Sequence, residues 1–245
     1  MNLKELYDIA DYKDNKGMLF NCDCLELMNK MEDESIDLIV TDPPYKLNKT
    51  TGSLTSSSKK DKWQGNLIAG DKTVNIQNNI KFSEWIPKIY NLLKPNSHCY
   101  IWVNDKNLVD LCNEAEKVGF KLHNILVWEK NNCTPNRWYM KNCEFILFLH
   151  KGKSFPIKNL NNKQLFSCNN INGKYKFHPT QKPIEYINRL IENSSNKDEI
   201  IFDPFMGSGT TCLASKILNR RYIGCEIDKK YFDISVDRIK NKSAE

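Results

Sequence analysis

Along the chain, short β-branched or aromatic apolar runs alternate with segments whose apolar positions recur every three or four residues. The first kind predicts strands over 18–21, 36–41, 99–103, 122–128, 144–149, 199–203 and 222–226. The second predicts helices over 25–31, 82–93, 108–118, 184–191, 210–218 and 231–239. The run Ile36-Asp-Leu-Ile-Val-Thr41 is apolar enough for a strand covered on both faces. Lys94-Pro95-Asn96 is expected to close one helix, and Pro183 lies where a helix start tolerates proline. Such alternation predicts an α/β fold with a mostly parallel central sheet and helices on both faces. Two stretches interrupt it. Residues 46–79 are rich in Ser, Thr, Asn, Gly and Lys without periodicity, so a functional or flexible loop is expected over about 46–80. Residues 152–177 form a second irregular polar stretch. No internal repeat is visible, and residues 1–245 read as a single domain of a size that buries a substantial core.

Charge and cysteines narrow the class only a little. The net charge of +6 suits a polyanionic partner, and equally suits an ordinary solvated surface. Nine cysteines, an odd number without a Cys-x-x-Cys pair, make a poor disulfide framework and a poor zinc site, so no metal is expected. The first residues carry no signal-peptide pattern, and no apolar run approaches the ~18–20 residues of a membrane span. A soluble cytoplasmic protein without a membrane partner is expected.

Two turns after predicted strands carry the chemistry. In Asp42-Pro43-Pro44-Tyr45 the prolines have fixed φ and no amide hydrogen, which stiffens the turn and leaves its oxygens few internal donors. A carboxylate, carbonyl oxygens and an aromatic ring are thereby gathered at a strand's carboxyl end, where open α/β sheets bind ligands. In Asp203-Pro-Phe-Met-Gly207-Ser208-Gly209-Thr210 the glycines permit close backbone approach, and the amides at the next helix start suit an anionic or polar group. Glu226 ends the following strand, where a carboxylate can accept hydrogen bonds from ribose hydroxyls. Gly-Ser-Gly-Thr is not the Gly-x-Gly-x-x-Gly fingerprint of nicotinamide cofactors. The turns therefore favour a nucleoside cofactor without choosing which.

The pair TDPPY and DPFMGSGTT, in that order, resembles the β-class S-adenosylmethionine-dependent amino-methyltransferases of DNA. Cys22-Asp-Cys-Leu-Glu26, Trp128-Glu-Lys-Asn-Asn132, Asn142-Cys-Glu-Phe-Ile146 and His178-Pro-Thr-Gln-Lys-Pro183 also look like that family, so the resemblance covers about residues 18–240. It implies a circularly permuted Rossmann-like fold, with the catalytic motif ahead of the cofactor motif. It implies S-adenosylmethionine as cofactor, shaped by Asp203, Phe205, Gly207, Ser208, Gly209 and Thr210, with Glu226 on the ribose and Asp23 and Cys24 on the adenine. His178, Thr180 and Lys182 would close the methionine end, and Asp42 and Tyr45 would face the target base, with Asp42 also bordering the cofactor. The alternatives are that Asp23 is only a helix cap, Lys182 a solvated helix-start residue and His178 a turn residue.

The resemblance also implies base flipping in double-stranded DNA. Tyr45 would stack on the extruded base, while Asp42 and the Pro43 carbonyl, in a turn stiffened by Pro44, would accept the hydrogens of its amine. Transfer would then be direct and in line. Relatives with DPPY mostly modify adenine N6 and those with SPPY cytosine N4, so adenine N6 is expected. Cytosine N4, an RNA substrate and a catalytically silent DNA-binding homologue are the alternatives. Lys46, Lys49, Lys59, Lys60 and Lys62, in the polar loop, are candidates for phosphate contact, with Arg137 beside Asn131, Asn136 and Trp138. Residues 152–177 correspond to the family's target-recognition segment and are short. A homodimer and a cognate restriction endonuclease are possible partners, in a bacterial, archaeal or phage-infected cell.

Overall fold

The computed structural model describes residues 1–44, 80–134, 139–171, 176–178 and 180–241, with the side chains of Asn132 and Thr134 excepted. Its strands are β1 (Tyr12–Lys13), β2 (Gly17–Phe20), β3 (Ile36–Thr41), β4 (Leu93–Val103), β5 (Lys121–Thr134), β6 (Lys141–His150), β7 (Leu165–Ser167), β8 (Ile200–Asp203) and β9 (Arg221–Cys225). They form one sheet in the order β1-β2-β9-β8-β3-β4-β6-β5-β7. The five strands from β2 to β4 run parallel; β1 and β6 are antiparallel to their neighbours, and β7 pairs parallel to β5.

The sheet's period of two divides the core. Met18, Phe20, Ile39, Cys99, Ile101, Phe202 and Ile223 face one side, where they pack with helices α2 (Cys24–Lys30), α3 (Phe82–Leu92) and α4 (Leu108–Val118) and with Leu6 of α1 (Leu3–Ile9). Leu19, Leu38, Val40, Tyr100, Trp102, Ile201 and Tyr222 face the other, against α5 (Ile184–Ser194), α6 (Thr210–Ile217) and α7 (Lys229–Asn241). This is an α/β fold with a mostly parallel central sheet and helices on both faces.

Several elements depart from expectation. No connection separates α3 from β4: the strand begins at Leu93 and runs through Lys94-Pro95-Asn96. The parallel register shifts between Ile36 and Leu38, and Asn96 takes φ 61, so this is a bulged strand entry that proline tolerates. Residues 152–177 are not wholly irregular, because Leu165–Ser167 pairs with Val127–Glu129 as β7. The loop expected over 46–80 lies outside the described residues except for Ile80.

Candidate active site

Parallel strands carry their carboxyl ends to one rim, and β3 and β8 are direct neighbours. Thr41 is the last residue of β3 and Asp203 the last of β8. The Thr41 hydroxyl donates to Asp203 Oδ1 at 2.7 Å, and both residues are buried. The proline turn beginning at Asp42 and the glycine turn beginning at Pro204 therefore leave the sheet side by side. Tyr45 falls outside the described residues.

The glycine turn is fixed from several directions. Asp203 Oδ1 also accepts from the Phe205 amide at 3.1 Å, and Gly209 caps α6 with φ 76. Glu226 stands at the end of β9 with its carboxylate over the turn: Oε2 accepts from the Gly207 amide at 3.0 Å and Oε1 from the Asp228 amide at 2.8 Å. Phe205 packs edge-on against Trp85, their ring centroids 5.2 Å apart. Ser208 and Thr210 turn their side chains inward. Arg238 Nη1 donates to Ser208 O at 2.7 Å, to Ser208 Oγ at 3.1 Å and to Thr210 Oγ1 at 3.1 Å, so those hydroxyls brace the turn from behind.

Buried charge sets the electrostatics. Burial pushes the Asp203 carboxyl up to about 7 against the hydrogen bonds from Thr41 and the Phe205 amide, and nearby Asp42 pushes the same way. Burial also raises Glu226, against the Asp228 and Gly207 amides. Two carboxyls held out of water in this way favour a ligand with hydroxyls or positive charge. Gly207 has φ 51, and a Cβ added there would meet nothing nearer than the His178 ring at 3.8 Å, so the backbone is open to a close neighbour. A nucleoside with ribose hydroxyls and a cationic amino-acid tail fits this surface.

The remaining predicted residues surround the same rim unevenly. Asp23 caps α2, its Oδ1 accepting from the Leu25 amide at 2.7 Å. Cys24 is buried, which pushes its thiol up to about 12. The two lie just past β2, whose end is joined to that of β9 by the Asn21 side-chain amide donating to Glu226 O at 2.8 Å. His178 packs edge-on against Tyr231 with centroids 4.2 Å apart; burial, helped by the Lys182 charge, lowers it to about 4, so the ring is neutral. Its Nδ1 accepts from the Thr180 amide at 3.2 Å. Lys182 is not a solvated helix-start residue. It is 7% exposed, and its Nζ lies 2.5 Å from Asp42 Oδ2.

Thr41, Arg238, Glu144 and Lys130 are functional candidates to which the sequence reading attached no role. Thr41, Lys130 and Glu144 lie inside quoted motifs, but their importance comes from partners on other strands. Lys46, Lys49, Lys59, Lys60, Lys62, Asn136, Arg137 and Trp138 fall outside the described residues. Among the described residues no group of three His, Cys, Asp or Glu side chains could hold a metal ion, and no helix is long and apolar enough to cross a membrane.

Comparison with known proteins decides between the cofactors this geometry would accept. Residues 36–237 match the sequence profile of the N6/N4 DNA methylases. The chain belongs to this DNA methylase family. This family member is 33% identical to the Type II methyltransferase M2.MboI of Moraxella bovis, over 97% of this chain and 92% of that one. It is 32% identical to the Type II methyltransferase M2.DpnII of Streptococcus pneumoniae, over 93% and 91%. Among solved structures, the complex of M1.HpyAVI with S-adenosylmethionine superposes with a TM-score of 0.67 and 28% identity, covering 91% of this chain and 99% of that one. The cytosine-N4-specific PvuII DNA methyltransferase shares the fold, with a TM-score of 0.69, 19% identity and 95% of each chain covered. The DNA methylase described here is an S-adenosylmethionine-dependent DNA methyltransferase with the α/β fold of these enzymes.

Proposed function

We propose that the enzyme methylates the N6 amine of an adenine flipped out of duplex DNA, at the cleft between the Asp42 and Asp203 turns. The observation that carries this reading is the buried Thr41–Asp203 hydrogen bond, which ties the two turns to one rim. S-adenosylmethionine, when bound, supplies an already activated methyl group. Gly207 and Gly209 let the main chain approach it, Glu226 accepts from its ribose hydroxyls, and Asp23 with Cys24 borders its adenine. His178, neutral and packed on Tyr231, walls the cleft above Gly207.

An exocyclic amine is a weak nucleophile because its lone pair is shared with the ring. Asp42 and the Pro43 carbonyl accept its two hydrogens and draw the lone pair out of conjugation. The prolines hold both acceptors still, so the gain is one of positioning and electrostatics. As positive charge grows on the nitrogen, the Asp42 carboxylate stabilises it. Tyr45 stacks on the extruded base and recovers part of the ~few kcal/mol spent on flipping.

Asp at the head of the turn supports adenine over cytosine. The Type II relatives from bacteria support a role in the cytoplasm beside a cognate restriction endonuclease, with recognition through residues 152–177 and phosphate contact through the lysines that follow the turn. Whether the enzyme pairs with a second copy is read by sedimentation. The deciding experiment is expression in a methylation-free bacterium followed by modified-base sequencing. N6-methyladenine in one sequence context is expected; N4-methylcytosine, or methylation of RNA alone, would overturn the assignment.

A further inference from the structure

A row of alternating charges leads away from the catalytic turn. Lys182 Nζ lies 2.5 Å from Asp42 Oδ2 and 3.2 Å from Glu144 Oε2, and Glu144 Oε1 accepts from Lys130 Nζ at 3.0 Å. The four residues come from four places in the fold: the end of β3, the segment ahead of α5, and the neighbouring strands β6 and β5. Their side chains are 22%, 7%, 21% and 19% exposed in the order Asp42, Lys182, Glu144, Lys130. Charges so far out of water are costly unless paired, and here each stands beside the opposite sign. Burial would raise the Glu144 carboxyl, but Lys182 and Lys130 outweigh it and hold the group below the usual carboxylate range. Glu144 is therefore a carboxylate at neutral pH, one strand beyond β4 from the turn it serves.

We propose that Glu144, held by Lys130, is a positioning residue for methyl transfer that acts on Asp42 through Lys182. The proposal rests on the reading of Asp42 as acceptor of the target amine. An ammonium shared with no second carboxylate would cancel the charge on which the developing cation depends. Glu144 divides that ammonium between two carboxylates, and its own charge is matched by Lys130 on the side away from the turn, so Lys182 offsets less of the Asp42 charge beside the reacting nitrogen. It also anchors the ammonium from the far side, which fixes the rotation of the Asp42 carboxylate.

Charge and shape can be separated at this position, because Gln keeps the shape of Glu and Asp keeps its charge. Glu144→Gln and Glu144→Asp are to be assayed with tritiated S-adenosylmethionine and unmethylated genomic DNA, alongside thermal unfolding. Glu144→Gln is expected to lower kcat at least tenfold, with KM for both substrates within twofold, in a variant that still folds with a lowered melting temperature, since Lys130 and Lys182 lose a partner; Glu144→Asp is expected to retain more of the rate. A Gln variant with kcat within twofold of the parent, or one at least as active as the Asp variant, overturns the proposal. Should the Gln variant not fold, the Asp variant is read alone: kcat within tenfold of the parent supports the role of charge, and a folded but inactive variant overturns it. Asp42→Ala separates the two levels of argument. Methyl transfer surviving that change sinks the reading of Asp42 itself, whereas an inactive Asp42→Ala beside a fully active Glu144→Gln sinks only the relay.

Discussion

Thr41 and Asp203 end neighbouring strands and share a buried hydrogen bond of 2.7 Å, although 162 residues separate them in the chain. On one side of that bond the chain turns into the proline motif, and on the other into the glycine motif. The bond therefore ties the bases of the two turns together.

Thr41→Val keeps the shape of the side chain and removes the donor. Leaving a buried acceptor short of a partner costs about 1–3 kcal/mol. Urea unfolding should report a loss of that size, and calorimetry a weaker affinity for S-adenosylmethionine.

Asp203 gives the ligand-free enzyme a distinctive pH response. Its folded carboxyl titrates at about 7, above the ~3.9 of an unfolded aspartate. Between those values the folded state holds a proton that the unfolded state has released. This group's contribution to stability is thus fully present below pH ~3.9 and is lost as pH rises towards 7, by at most about 4 kcal/mol. Asp203→Asn carries no such proton. Its stability relative to the parent should climb over that window and level off above it, as measured by denaturation at a series of pH values.

The two glycines of the turn should fail differently. At Gly209, φ is 76 and a Cβ would come within 2.7 Å of Ser235 Cβ, so Gly209→Ala combines backbone strain with a clash in the core. A loss of about 2–4 kcal/mol is expected. At Gly207 the backbone is also left-handed, but the space is open. Gly207→Ala should cost only about 1–2 kcal/mol of stability while weakening cofactor binding at least tenfold. Paired melting and calorimetric measurements distinguish the two patterns.

Arg238 is 2% exposed and ties Ser208 and Thr210 to α7. Arg238→Met leaves three acceptors without that donor and should destabilise the protein by about 2–4 kcal/mol. Cofactor affinity should fall with it, since the turn loses its rear support; urea unfolding and calorimetry together check this.

How much of this was legible in sequence depended on how local the cause was. The strand 36–41 and the helix 108–118 match their predicted bounds because a β-branched apolar run broken only by Asp37 and a clean helical period decide them within a dozen residues. The Asn2–Glu5 capping box of α1 is local, but the apolar pattern that follows it is too short to predict a helix by itself. Three-residue β7, with both outer residues exposed, has no periodicity to read and exists only because β5 offers an edge. At the site, the two turns announced themselves through proline and glycine. Thr41, Arg238 and Glu144 did not, because a hydrogen bond or ion pair between elements far apart in the chain leaves no mark on the local pattern. Lys182 shows the same limit from the other side: its motif was visible, while its seat on Asp42 required the fold.

The strand order also constrains how the protein is made. β2 and β3 are synthesised early, yet two strands, β8 and β9, must lie between them in the finished sheet. Until residues 200–225 have left the ribosome, the inner edges of both early strands stay unpaired. The nascent chain should therefore lean on chaperones late in translation, and methylating activity should appear abruptly, once α7 has followed the last parallel strand.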